Sequence, residues 1–190
     1  GDAYLMGLFA RANYKLLDRY LLNASVRRDG HSAFSKDNRW ANFYAFGAGW
    51  IMTEEGFMKD LEWLNMLKLR GSYGITGNTA VSNSMTYLSW GLDTNKVFGV
   101  DYLHGATTVG PMGSKDLKWE TTANLDLGFD FGILNNRING SFAYYTQKVS
   151  DLILLGNVQP SVGFDKNQIY ENVGDLKNWG FEFNVSSVNI

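Results

Sequence analysis

The chain has 190 residues, a formal net charge of −2 and no cysteine. That length suits one domain with a sizeable core. The charge gives no field to hold a nucleic acid, and the lack of thiols excludes disulfide frameworks, cysteine nucleophiles and cysteine metal sites. Gly is frequent (21 residues) and Pro scarce (2), a balance that suits long β-structure joined by tight turns. No apolar run approaches the ~20 residues of a transmembrane helix. A mean hydropathy of −0.21 is compatible with a membrane barrel, because half of each barrel strand is polar.

The chain opens at Gly1-Asp2, without Met, directly on a strand pattern and stops at Ile190 just after another. This is expected of an internal piece of a longer polypeptide, and no signal peptide is visible. From Leu5 to Leu16, Met6, Leu8, Ala10, Ala12, Tyr14 and Leu16 alternate with Arg11, Asn13 and Lys15. After the short turn Leu17-Asp18-Arg19, Tyr20, Leu22, Ala24 and Val26 alternate with Asn23, Ser25, Arg27 and Asp29. The polar segment Gly30 to Arg39 leads into a third strand, Trp40 to Met52. Its Tyr44, Phe46, Ala48 and Trp50 oppose a smaller face of Phe43, Ala45, Gly47, Gly49 and Ile51. The Gly47-Ala48-Gly49 pattern is followed by no phosphate-binding turn and helix, so it is no nucleotide loop.

Thr53-Glu54-Glu55 predicts a short helix near 54–64, with Thr53 as N-cap, the two glutamates in its first turn and Phe57, Leu61 and Leu64 on one face. Period 2 returns from Met66 to Ile75. A long segment, Thr76 to Lys118, is rich in Gly, Ser, Thr and Asn and reads as irregular; loops of that length are usually functional.

The clearest pattern follows. From Trp119 through Phe131 every odd position is Trp, Thr, Ala, Leu, Leu, Phe or Phe, and the even ones include Glu120, Asn124, Asp126 and Asp130. After Leu134-Asn135-Asn136 the alternation resumes, with Ile138, Gly140, Phe142 and Tyr144 opposing Asn139, Ser141, Ala143, Tyr145 and Gln147. These are two strands of a hairpin. A strand crossing a bilayer at a tilt needs about 9–11 residues, against about 5–6 in ordinary sheets. A second loop, Ser150 to Asn172, precedes a last strand in which Trp179, Phe181, Phe183 and Val185 oppose Asn178, Gly180, Glu182 and Asn184.

The connections alternate between short and long, so an up-and-down meander puts all three long loops at one end, as outer-membrane barrels do. The charges on the otherwise apolar faces, Arg28, Lys148, Asp175 and Lys177, fall at that long-loop end, within reach of headgroups. Tyr14, Tyr20, Trp50 and Phe131 gather at the other end like an aromatic girdle, and Trp119 and Trp179 are expected at the opposite rim. The expected fold is therefore all-β: about seven strands of a transmembrane antiparallel up-and-down β-barrel. A soluble β-sandwich, for instance a carbohydrate-binding module, is the alternative.

No catalytic constellation is visible. Asp126 and Asp130 lie about 14 Å apart along a strand at about 3.4 Å per residue, too far for an acid/base pair at ~5–9.5 Å. They are expected to line a hydrated wall. His31 and His104 have no companions at metal-ligand spacing, so neither a metal nor another cofactor is expected. Tyr87, Trp90, Phe98 and Tyr102, in the long loop, are the candidate ligand-binding residues. Asn124, Asp126, Asn139 and Glu182 are the candidate lumen-facing ones.

Five blocks resemble one family. They are Val26-Arg27-Arg28-Asp29-Gly30 with Phe34 and Asn38-Arg39-Trp40; Leu67-Lys68-Leu69-Arg70-Gly71-Ser72-Tyr73-Gly74 through Gly77-Asn78; and Leu117-Lys118-Trp119-Glu120-Thr121-Thr122. The other two are Asp130-Phe131-Gly132 with Leu134-Asn135-Asn136-Arg137-Ile138, and Asn172-Val173-Gly174 with Asn178-Trp179-Gly180-Phe181-Glu182. Together, and in this order, they resemble the SusC-like TonB-dependent outer-membrane transporters; Phe43-Tyr44 departs from the Phe-Pro frequent there. The resemblance implies a barrel of about 22 strands closed by a plug, in the bacterial outer membrane. It implies TonB-powered import of glycans or peptides, with a SusD-like surface lipoprotein over the mouth. Residues 1–190 would then be a partial barrel, its plug domain, N-terminal region and C-terminal strands lying elsewhere in the protein.

Overall fold

The computed structural model describes residues 4–78, 90–97, 104–109, 114–157, 159 and 168–189. Eleven strands follow in order: β1 (Leu5–Leu16), β2 (Tyr20–His31), β3 (Trp40–Ile51), β4 (Leu64–Asn78), β5 (Trp90–Val97), β6 (His104–Val109), β7 (Glu120–Ile133), β8 (Ile138–Ser150), β9 (Ile153–Asn157), β10 (Gln168–Asn172) and β11 (Leu176–Ser187). Seven of them form one antiparallel sheet in the order β1-β2-β3-β4-β7-β8-β11. Each of these has 12 to 15 residues, a membrane-crossing length.

The register carries the period-2 pattern across the sheet without a slip of face. Leu22 lies opposite Ala48, which lies opposite Gly71, which lies opposite Leu127, then Tyr144, then Phe181. On the other face Asn23, Gly47, Ser72, Asp126 and Tyr145 are aligned in the same way. The apolar face meets no second layer: Leu127 is 48%, Phe181 62% and Phe183 70% exposed. A sandwich would have sealed these residues, so the β-sandwich reading fails here. Rings run along the bare face in contact, Phe129 with Phe142 at 5.7 Å and Phe142 with Phe181 at 5.9 Å between centroids.

The short connections are tight turns in the left-handed region. Leu17 and Asp18 have φ of 50° and 56°, and Leu134, Asn135 and Asn136 have φ of 53°, 57° and 59°. A register shift in β4 falls between Leu64 and Met66, and the residue it sets free, Asn65, accepts the backbone N–H of Asn136 at 3.1 Å. Where a helix is expected from Thr53, the chain makes two single turns of 3-10 helix, Met52–Glu54 and Gly56–Met58, with no side-chain cap. Glu55 between them is extended (φ −80°, ψ 146°) because its carboxylate is bound elsewhere, as described below. The two longest connections are not wholly irregular either: β5 pairs with β6, and β9 with β10, as two-stranded ribbons.

The core sits at the long-loop end. Ala33, Phe34, Phe43, Leu117 and Trp119 are buried together, with Ala41, Ile75, Ile153 and Tyr170 packed against them. Phe34 stacks on Trp119 at 5.1 Å, and Phe43 meets it edge-on at 5.5 Å. Trp119 therefore departs from the outer rim expected of it. β7 begins one residue later, so the indole is not held to strand parity. It turns to the side of Phe43, and its Nε1–H donates to the Arg39 carbonyl at 3.2 Å. Trp179 does lie on the bare face, 62% exposed. The cluster ties the β2–β3, β4–β7 and β8–β11 connections together. Phe34→Ala should remove about 3–5 kcal/mol of this packing. Limited proteolysis of the protein in detergent should then cut within 32–39 and 114–119 much faster, while the strands stay protected.

Candidate functional site

Three places concentrate polar chemistry. The first is the polar face of β4 and β7. Arg70 donates from Nη1 to Asp126 at 2.6 Å, and its Nε lies 3.5 Å from Asp130. Asp126 and Asp130 flank Gly128, which lies opposite Arg70. The glycine is required there: a Cβ would stand 3.1 Å from the guanidinium carbon and 2.6 Å from the Phe142 carbonyl oxygen. The side chain of Arg70 thus crosses the strand over Gly128 and bridges both carboxylates, offsetting one of their two negative charges. Two carboxylates held by one guanidinium make a charge-paired wall, not an acid/base pair.

The four residues expected on this face share it. Asn124 lies opposite Gln147, and Glu182 opposite Ala143, which in turn faces Gly128; both Asn124 and Glu182 are exposed. Asn139 lies at the turn end and donates from Nδ2 to the Asn136 carbonyl at 2.6 Å. Glu120, the third carboxylate of β7, works as a cross-link: it accepts from Asn78 Nδ2 at 3.0 Å and from the Ile153 backbone N–H at 3.3 Å.

The second place is the turn end. Tyr20 and Trp50 stand opposite each other and stack at 6.4 Å. The Tyr20 hydroxyl donates to Glu55 Oε1 at 2.6 Å, Trp50 Nε1–H to the same oxygen at 3.1 Å, and Arg19 Nη1 to Oε2 at 2.7 Å. One carboxylate closes the β1–β2 turn, the aromatic rim and the β3–β4 connection into a unit. The girdle pair was visible in the sequence; its acceptor was not, because Glu55 reads locally as a helix N-terminal residue.

The third place is the loop end. Asn172 takes the Lys118 N–H at 2.8 Å, returns a bond to the Lys118 carbonyl at 3.0 Å and donates to the Asp151 carbonyl at 2.7 Å. It imitates a strand neighbour for a residue outside the sheet. His31 is buried and accepts the Ala33 N–H at Nδ1 (3.1 Å), so it shapes the β2–β3 turn. Of the candidate ligand residues, Tyr87, Phe98 and Tyr102 lie outside the described residues. Trp90 opens β5, opposite Val109, and its side chain lies outside them too.

A sheet of membrane-crossing strands, bare and aromatic on one face and charge-compensated on the other, with short turns at one end and long connections at the other, defines the wall of an outer-membrane β-barrel. The chain belongs to the TonB dependent receptor-like, beta-barrel family, whose model matches residues 1–188. It is 40% identical over 188 residues to the TonB-dependent receptor SusC of Bacteroides thetaiotaomicron, covering 96% of this chain and 18% of that protein. It is 38% identical over 189 residues to the TonB-dependent receptor P3 of Formosa agariphila, covering 100% of this chain and 18% of that one. Among solved structures it superposes on the RagAB peptide importer in its closed-closed state with a TM-score of 0.84. That match has 27% identity and covers 96% of this chain and 19% of the other. The chain thus spans less than a fifth of the length of these relatives, and its place is the bacterial outer membrane.

Glu55 supplies a pH test. Hydrogen bonds from Tyr20 and Trp50, with Arg19 adding attraction, hold its carboxyl below the usual carboxylate range. Its contribution to stability is therefore full above the ordinary carboxylate pKa and fades as the pH falls through the lowered folded value. Heat-modifiable gel migration between pH 3 and 7 should show Glu55→Gln less stable than wild type near neutrality, the gap closing at the acid end.

Proposed function

We propose that the chain is a seven-stranded stretch of wall, with its long loops, of an outer-membrane transporter that imports oligosaccharides or peptides with energy delivered through TonB. The observation that carries this is 40% identity to a receptor named SusC along a two-faced, membrane-length sheet. A neighbour titled as a peptide importer supports the same class of cargo. The chain is read as a carrier wall without catalytic work of its own. β1 and β11 each have one neighbour in the sheet, and further strands of a longer barrel would pair along their other edges, because hydrocarbon leaves no backbone group unpaired.

On this reading the polar face looks into the lumen. Asn124, Asp126, Asn139 and Glu182 meet water or a plug domain, through which TonB acts, and the bare face meets outer-membrane lipid. A SusD-like lipoprotein covers the long-loop end. Tyr87, Trp90, Phe98 and Tyr102 are the residues proposed to stack on sugar rings or grip apolar side chains of the cargo. In a strain carrying the full-length gene, deletion should abolish growth on one class of oligosaccharide or peptide as sole carbon source, and inactivating TonB should reproduce the defect. Unchanged growth on every member of both panels, or uptake that persists without TonB, would defeat the proposal.

A further inference from the structure

The bare face is not evenly bulky. Ala12 stands opposite Ala24, and Ala48 opposite Gly71. These small residues floor a shallow apolar groove of about 630 Å³, walled by Tyr14, Phe46, Tyr73 and Leu127. A second groove of about 600 Å³ shares Ala12, Ala24 and Phe46 with the first and continues to Val26 and Tyr44. The next residue of β2 on that face is Arg28, opposite Leu8 and Asn42.

Arg28 is exposed and has no carboxylate partner among the described residues. Its guanidinium lies 5.4 Å from the ring centroid of Trp40, on the same face. Lys148, also on the bare face at the long-loop end, is by contrast neutralised by Asp175 at 2.8 Å. Arg28 therefore holds a positive charge, backed by an indole, at the head of an apolar trough. From Arg28 down to Leu22, which also lines the trough, β2 runs about 20 Å at roughly 3.3 Å per residue. At a barrel tilt of about 35–45° that is about 15 Å of depth, a little over half the ~25 Å apolar band.

We propose that this groove seats one acyl chain of a phosphorylated glycolipid of the lipid A class, with the phosphate held by Arg28 beside Trp40. The proposal rests on the reading above that the bare face meets lipid and the long loops face outward. A fork of N–H donors suits a phosphate, and the flat trough suits a saturated chain better than a field of protruding rings would.

The test is native mass spectrometry of the full-length protein, delipidated in detergent and offered bisphosphorylated lipid A, its dephosphorylated form or phosphatidylglycerol. Wild type should retain the phosphorylated lipid A about tenfold better than the dephosphorylated one, the effect of one charge-assisted contact. Arg28→Gln should erase that difference and Arg28→Lys should keep most of it. Ala24→Phe should lower retention by filling the floor. Undiminished retention in Arg28→Gln or in Ala24→Phe overturns the site, and equal retention of phosphatidylglycerol overturns the assignment to lipid A. Heat-modifiable migration of each variant reports the barrel separately. Its absence in wild type would sink the barrel reading rather than the lipid site.

Discussion

Hydrocarbon offers no hydrogen-bond partner, and that constraint organises this sheet. In the seven-stranded sheet β2, β3, β4, β7 and β8 are each laddered to a neighbour on both sides. Once the ladder is obligatory, the side-chain period of 2 leaves one freedom, the register, and a slip of one residue would exchange the faces. Such a slip at β7 would turn Asp126 and Asp130 into lipid and Phe129 and Phe131 toward the polar side. Charge at mid-membrane is costly, about 2–4 kcal/mol for Arg or Lys and less for Asp, so a one-residue slip is opposed by both carboxylates at once. The register's irregularity is confined to Asn65 at the turn end, where the freed amide has a partner in the adjoining turn.

The polar face is built by the complementary rule. A wall near water or another protein surface can carry charge, but charges of one sign along a strand repel. Arg70 resolves this by lying across Gly128 and meeting both neighbouring carboxylates. With roughly a third of each partner's surface open to solvent, the pairs add little to stability. Their effect is on the shape and field of the wall: they hold a long side chain flat and offset one of the two carboxylate charges at that height.

The strands, their faces and the placement of the long connections were legible in the residues because alternation alone decides them. The exceptions share a cause. Trp119 fits the alternation in sequence, yet it precedes the ladder, and Phe34 and Phe43, far along the chain, draw it inward together with the nearby Leu117. Thr53-Glu54-Glu55 carries good local helix signals, which three donors on Arg19, Tyr20 and Trp50 override by holding Glu55 extended. Arg70 and the carboxylates of β7 were each visible, but spacing along one strand says nothing about a cation arriving from the next. The ribbon β5–β6 hides among Gly, Ser, Thr and Asn, and β9–β10 has only five residues a strand, too few for alternation to mark it although Ile153 and Tyr170 pack on the core. The lumen-facing and ligand-binding assignments still rest on the sequence and the proposed function.

The two ends of the sheet are fastened by opposite physics. At the turn end a single carboxylate with three donors locks short connections, which have no room to move. At the loop end a dry cluster of rings and aliphatic groups clamps the roots of three connections, and Asn172 adds directional bonds between two of them. Apolar packing is non-directional and scales with the area removed from water, so the loop roots are held by the whole cluster and not by any one contact. Any motion that opens or closes a mouth would then be taken up beyond Phe34 and Trp119, in segments such as the two ribbons, while the strands beneath keep the register that the membrane enforces.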